Sequence, residues 1–333
     1  MKNVKELLGI YRTRFDATME GLLAPSEDIR ENLLKLAPKN SVFWYRDRGE
    51  EKLYRLAIRK DIEETLEPFR NPRVGLFANK VDHSVAWSVF LWCIRLFTWA
   101  AERGDWKPVR EHSVTLESIF AFFEEAGASW IKTGQGGLLE ARFKDEYPFV
   151  SSGEVWYSSP LNALWTAFLC LFNVYCNRTG NLRFASRSQD VLDSIMESFH
   201  GFFWDSGRAE TAVLVHPDRD RKVFSGHLVY LPAYDPAGLL FKNRKKRLLD
   251  KIEREYYTEK GLRIEGETTD PALIPVYCEA LLAYYGSSGR TLARVEKLLT
   301  DHAAFVDPVL FAKGDAEYER GMIVLLRLLT GIR

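Results

Sequence analysis

The sequence has no excess of charge of either sign: 46 Lys and Arg stand against 46 Asp and Glu in 333 residues, a formal net charge of zero. That balance lacks the basic footprint of a nucleic-acid binder, and no nucleic-acid partner is expected. There is also no run of the ~18 apolar residues that a membrane helix requires. Met1-Lys2-Asn3-Val4-Lys5-Glu6 lacks the apolar stretch of a secretory leader, so a cytoplasmic protein without a membrane partner is expected. Cysteine is scarce. Cys93, Cys170, Cys176 and Cys278 form no C-x-x-C pair and no framework spacing, which points to buried, reduced thiols. G-x-S-x-G, P-loop and H-E-x-x-H motifs are missing, and the six histidines at 83, 112, 200, 216, 227 and 302 are scattered. Neither a metal nor a cofactor is expected on these grounds.

What the chain does have is aromatic residues, 9 Trp, 14 Tyr and 21 Phe, enough to fill a wide core or to line a cleft. Helical periodicity runs from end to end. Val4, Leu7, Leu8, Tyr11, Phe15, Met19 and Leu22 recur at three- and four-residue intervals until Pro25, and Ser26 caps the next run. The same spacing predicts helices at about 50–69, 83–103, 107–125, 158–178, 186–202, 235–241, 243–257, 272–285, 289–304 and 314–330. Ser159-Pro160 and Asp235-Pro236 read as N-cap and first-turn pairs. One β signal stands out, a hairpin of Thr211–Val215 and Arg221–Phe224 around Pro217-Asp218. Short and long connections alternate, so the helices are expected in antiparallel pairs. The predicted fold is all-α, an (α/α)6 toroid of six helical hairpins with a small β-hairpin in a long loop, forming a single domain over residues 1–333.

The long connections hold the polar chemistry. Asp47 lies in the 37–49 loop, Glu140, Asp145, Glu146 and Glu154 in the 126–157 loop, and Glu265, Glu267 and Asp270 in the 258–271 loop. Trp44, Trp130, Trp156 and Trp204, with Tyr147 and Tyr157, share those loops or their edges. Carboxylates beside aromatic planes suit sugars, because rings stack on apolar sugar faces and carboxylates supply acid, base and hydroxyl-bonding groups. Gly134-Gln135-Gly136-Gly137 reads as a flexible turn, and the basic run from Lys242 to Arg247 as the solvated side of an amphipathic helix.

A series of short motifs resembles one family. Gly75-Leu76-Phe77-Ala78-Asn79-Lys80, then His83-Ser84-Val85-Ala86-Trp87-Ser88-Val89-Phe90 and Arg103-Gly104-Asp105, is similar to the G-L-I-P-N, N-S-V-D-A-x-L-W and T-G-D segments of the glucosidase domain of glycogen-debranching enzymes. Gly137-Leu138-Leu139-Glu140-Ala141-Arg142 stands where that family has T-W-M-D-A, and Leu161-Asn162-Ala163-Leu164-Trp165 resembles E-I-N-A-L-W. Tyr257–Arg263 resembles L-T-x-x-G-L-R, Pro275–Leu282 resembles P-F-V-E-A-L, and Phe43-Trp44-Tyr45-Arg46-Asp47 resembles W-G-R-D. The matches keep the family's order over residues 43–286.

The resemblance implies a six-hairpin glycosidase and an inverting amylo-α-1,6-glucosidase-like activity on α-glucosides or α-glucan ends. One protonated carboxyl would then donate to the leaving oxygen while a second carboxylate activates water. By position the acid falls on Glu140 and the base on Glu267 or Glu265. Arg46 and Asp47 would bond sugar hydroxyls, and Trp44, Trp87 and Trp156 would form stacking walls. The expected partner is an oligosaccharide or α-glucan. The family's Y-H-x-G-x-V-W-P-W is replaced by Ile264–Pro271, the Asp of N-S-V-D-A by Ala86, and the Glu of E-I-N-A-L-W by Pro160. Two alternatives follow: a carbohydrate-binding relative without turnover, or a sugar epimerase or hydratase using His83 or Tyr147 as proton carrier.

Overall fold

The structure, a computed structural model, describes residues 81–125, 130–143, 150–235, 238–271 and 273–302, together with Thr13, Lys52 and Leu56. Two compact units divide the chain, Thr65–Leu248 and the pair of segments Met1–Glu64 and Leu249–Arg333. The expected site residues Trp44, Arg46, Asp47 and Tyr147, and the expected helix at 314–330, lie outside the described residues. Thr13, Lys52 and Leu56 are helical, in agreement with the periodicity around them.

In the Thr65–Leu248 unit, helix α1 (His83–Arg103) has the bounds its spacing predicts. Asp82 caps it by accepting the Val85 N–H at 2.9 Å, and Gly104 ends it in the left-handed region. The expected helix at 107–125 is divided into α2 (Lys107–Glu111) and α3 (Ser113–Glu124) at His112, whose backbone (φ −108°, ψ 15°) leaves helical torsion. Helices α4 (Ser159–Thr179) and α5 (Leu182–Phe203) form an antiparallel pair joined by Gly180-Asn181. Ser158, one residue before the expected cap, accepts the Leu161 N–H, and Pro160 sits in the first turn where its missing N–H costs nothing. Phe90, Phe120, Phe123, Trp165, Phe168 and Phe172 are fully buried, and Phe90 lies 4.7 Å from Phe123 and 5.3 Å from Trp165 between ring centres. These rings join α1, α3 and α4. Each contributes about 2–3 kcal/mol by leaving water.

The all-α expectation fails here. Strands β1 (Ile131–Thr133), β2 (Leu139–Arg142), β3 (Val155–Ser158), β6 (Leu214–Val215) and β7 (Lys222–Val223) form a five-stranded antiparallel sheet in the order β1-β2-β3-β6-β7. A two-stranded ladder pairs β4 (Trp204–Asp205) with β5 (Glu210–Thr211), and a third sheet of three strands lies in the other unit. The described chain is therefore not an all-α toroid of helical hairpins. The physical reason is local: Leu139-Glu140-Ala141-Arg142-Phe143 alternates apolar and polar residues, a strand pattern, inside what the helix periodicity leaves as a loop. The expected β-hairpin exists, but Thr211 pairs with Trp204, and only the β6–β7 part joins the sheet, at its edge.

Helix α6 (Tyr230–Ala233) follows, and the expected helix at 235–241 does not form: Asp235 and residues 238–240 are non-helical. The Asp235 carboxylate instead accepts the Leu239 and Leu240 N–H groups at 2.6 and 3.0 Å and pairs with Lys245 at 2.8 Å. Its bonds reach four and five residues ahead, beyond the amides that a helix cap would satisfy. Helix α7 spans Lys242–Lys251.

In the other unit, a wider helical turn at Ile252–Tyr256 leads into the antiparallel sheet β8 (Tyr257–Thr258), β9 (Gly261–Glu265) and β10 (Thr268–Asp270), then into α8 (Leu273–Tyr285) and α9 (Gly289–Asp301). Gly261 is required where it stands. Its φ is 128°, and a Cβ there would meet the Pro271 backbone at 2.7 Å. Thr291, Val295, Leu298 and Leu299 give α9 one buried stripe. Among the described residues no helix is long and apolar enough to cross a membrane.

Candidate functional site

Glu140 stands in the middle of β2, directly opposite Lys132 of β1 on one side and Tyr157 of β3 on the other. Cross-strand partners on one face come within reach of each other. The Lys132 Nζ lies 2.7 Å from Glu140 Oε1, and the Tyr157 hydroxyl donates to Oε2 at 2.9 Å. The Glu140 side chain keeps 12% of its exposure, whereas that of Lys132 keeps 57%. Both carboxylate oxygens thus face a donor, one of them on a side chain that reaches into solvent. The Tyr157 ring packs on Phe202 at 4.5 Å, and its hydroxyl also receives the Gln135 N–H at 3.3 Å.

The position of Glu140 is set from α4. Asn162, fully buried, accepts the Leu139 N–H at 2.7 Å and returns its own amide to the Leu139 carbonyl at 3.0 Å and to the Ser158 carbonyl at 2.9 Å. One side chain clamps both backbone groups of the residue before Glu140. The glycine-rich turn before β2 is packed rather than free: Gly136 and Gly137 have φ of 64° and 72°, and a Cβ on Gly136 would collide with Ser198 of α5.

The other face of β2 carries Leu139, Ala141 and, as the ladder continues, Phe143. Phe143 stacks on His83 at 4.7 Å, His83 lies 5.8 Å from Trp87, and the Trp87 indole meets the Tyr230 ring in a T-shaped contact at 4.8 Å. Trp87 is half-buried. By strand alternation, the aromatic cluster around Trp87 and the Glu140 carboxylate lie on opposite faces of β2. The Nε2 of His83 is closed to solvent although the residue as a whole is half-buried, and burial pushes its pKa down to about 4. At neutral pH this imidazole is uncharged.

Trp156, expected as a stacking wall, pairs with Ala141 and is 2% exposed. Its Nε1–H donates to Glu154 at 3.1 Å, and the Arg221 guanidinium lies 5.0 Å over its ring. The Trp156 bond, followed by that from Arg221, holds the Glu154 carboxyl below the usual carboxylate range. Trp204 is covered in the same way, by Arg244 at 4.8 Å. A cation thus lies over the Trp156 ring, where a sugar was expected to stack, and another over the Trp204 ring.

Glu265 and Glu267 are exposed and flank Gly266 at the tip of the β9–β10 hairpin. The three glutamates expected to catalyse are thus divided between the two units. Sequence reasoning missed Lys132 and the Asn162 clamp. The polar Asn162 inside the apolar run Leu161–Leu169 was the available signal for the clamp, because a buried amide must find partners; Lys132 has no signal without the strand register. No family model matches the chain, and no curated protein matches it.

Proposed function

We propose that this protein is a glycoside hydrolase acting on α-glucosides or α-glucan ends, with inversion at the anomeric carbon and with Glu140 as proton donor. The observation that carries this reading is the Asn162 clamp on Leu139. It joins two segments that resemble the debranching glucosidases, and it fixes a half-buried carboxylate one residue further on. Tyr157 orients that carboxylate. A donor must hold a proton when the glycosidic oxygen arrives, so Lys132 is the partner that withdraws; its largely exposed ammonium loses little on release. In this reading the protein works in the cytoplasm, on an oligosaccharide or α-glucan, with its four cysteines as free thiols.

A second reading has a specific observation in its favour. Lys132 and Tyr157 occupy both oxygens of Glu140, and arginines cover Trp156 and Trp204, an arrangement suited to a carbohydrate-binding relative without turnover. Incubation with panose, maltooligosaccharides and limit dextrin separates the two. The hydrolase releases glucose, first as the β-anomer, and Glu140→Gln abolishes release. The binding protein gives calorimetric heat with the same sugars and no glucose.

A further inference from the structure

The turn between β6 and β7 gathers three metal-ligating side chains, His216, Asp218 and Asp220. Pro217 takes the second position of a turn closed by the Arg219 N–H, which donates to the His216 carbonyl at 2.8 Å. Arg219 then adopts the left-handed region (φ 62°), returning the chain toward β7 with Asp220 beside His216. The His216 Nδ1 lies 3.4 Å from Asp218 Oδ2 and 3.3 Å from Asp220 Oδ1, and one donor atom of each residue is within 4.8 Å of the other two. Two donors held at ~2.1 Å from one tetrahedral ion stand ~3.4 Å apart. The histidine is therefore at ligand spacing from both carboxylates, and its Nδ1 accepts the Asp218 N–H at 3.4 Å, a long contact that a bound ion would replace. Among the described residues no second group of three such donors comes together this closely.

The surrounding charges leave the trio to a cation. Arg219 bonds Gln135 at 2.8 Å and lies over Phe202, Arg221 pairs with Glu154 at 3.1 Å, and Lys222 pairs with Asp205 at 3.1 Å. Neither Asp218 nor Asp220 has an ion-pair partner other than His216 among the described residues. The Trp156 ring packs against His216 in a T-shaped contact, 5.4 Å between ring centres. Two carboxylates match the charge of a divalent ion, and an imidazole beside them selects a transition metal over Mg²⁺ or Ca²⁺.

We propose that His216, Asp218 and Asp220 bind a divalent transition-metal ion of the Zn²⁺ type, with a further coordination position open to water or to a ligand. The site is independent of the hydrolase reading and of Glu140. The test is calorimetric titration of the full chain with Zn²⁺ near neutral pH, repeated with Co²⁺ to read its visible absorption. The wild type is expected to take up one ion per chain. His216→Ala, Asp218→Asn and Asp220→Asn are each expected to weaken binding at least about tenfold and to lose the Co²⁺ band. The aspartates are exposed, so their variants keep the fold and decide the matter should His216→Ala not. Absence of stoichiometric binding in the wild type, or unchanged affinity in the two aspartate variants, overturns the proposal.

Discussion

Two hairpins carry the glutamates singled out from the sequence. Glu140 stands mid-strand in β2, between Lys132 and Tyr157, over a backbone clamped by a buried asparagine. Glu265 and Glu267 stand exposed at the tip of β9–β10, around Gly266. Each hairpin is antiparallel and carries an acidic side chain, yet of these three glutamates only Glu140 has, among the described residues, its carboxylate tied to neighbouring side chains. The lesson is that a catalytic assignment at Glu140 must be separated from a structural one, whereas at the β9–β10 tip a change in activity is free of that ambiguity.

The largest effect should come from the clamp itself. Asn162→Ala leaves the buried N–H and C=O of Leu139 without their partner, and about 4 kcal/mol of unfolding free energy should be lost in urea titrations. A loss under about 1 kcal/mol would mean that β2 is held by its ladder alone, and the contrast with the tip would disappear.

Next comes the far side of the same strand. Below its unfolded pKa of 6.5 the His83 imidazole gains a proton when the chain unfolds, but in the fold it stays neutral down to about 4. Stability is therefore complete above pH ~6.5 and declines as the pH falls toward ~4, by about 3 kcal/mol in all. Urea midpoints at the two ends of that window, compared with those of His83→Phe, check the sign: the variant should lose that part of the pH dependence.

Lys132→Met should cost less than about 1 kcal/mol, because an ion pair with one largely exposed partner is weakened by solvent. If Lys132 only shields Glu140 in the free protein, this variant keeps or raises hydrolytic activity; a loss of activity with unchanged stability would assign Lys132 a part in catalysis. Smallest of all, Glu265→Gln and Glu267→Gln should each stay within about 0.5 kcal/mol of wild type. A fall in turnover in either one then reports chemistry rather than folding.

The long helices α1, α4 and α5 were legible because their information is local, whereas the expected helix at 235–241 does not form. The bounds of α1 follow from apolar spacing, and the start of α4 from Pro160 and the serines before it, with the cap at Ser158 rather than at the expected Ser159. The sheet was less so. Strands of two to four residues give little periodic signal, and Leu139–Phe143 shows its alternation only when helix spacing is set aside. Partners across strands are beyond a linear reading: that Lys132 faces Glu140 depends on the register Ile131 with Ala141. The His216 trio had a readable signal, H-x-D-x-D across a proline turn. The linear sequence does not show that these donors meet, because donors two apart on a hairpin come together only when Arg219 turns the chain back.

In the proposed function Glu140 donates a proton to a glycosidic oxygen. The decisive measurement is the rate and the anomer of glucose released from panose by the wild type and by Glu140→Gln. β-Glucose is expected from the wild type, at a rate at least about a hundredfold above that of the variant; equal rates, or no glucose from either, would overturn the assignment of Glu140.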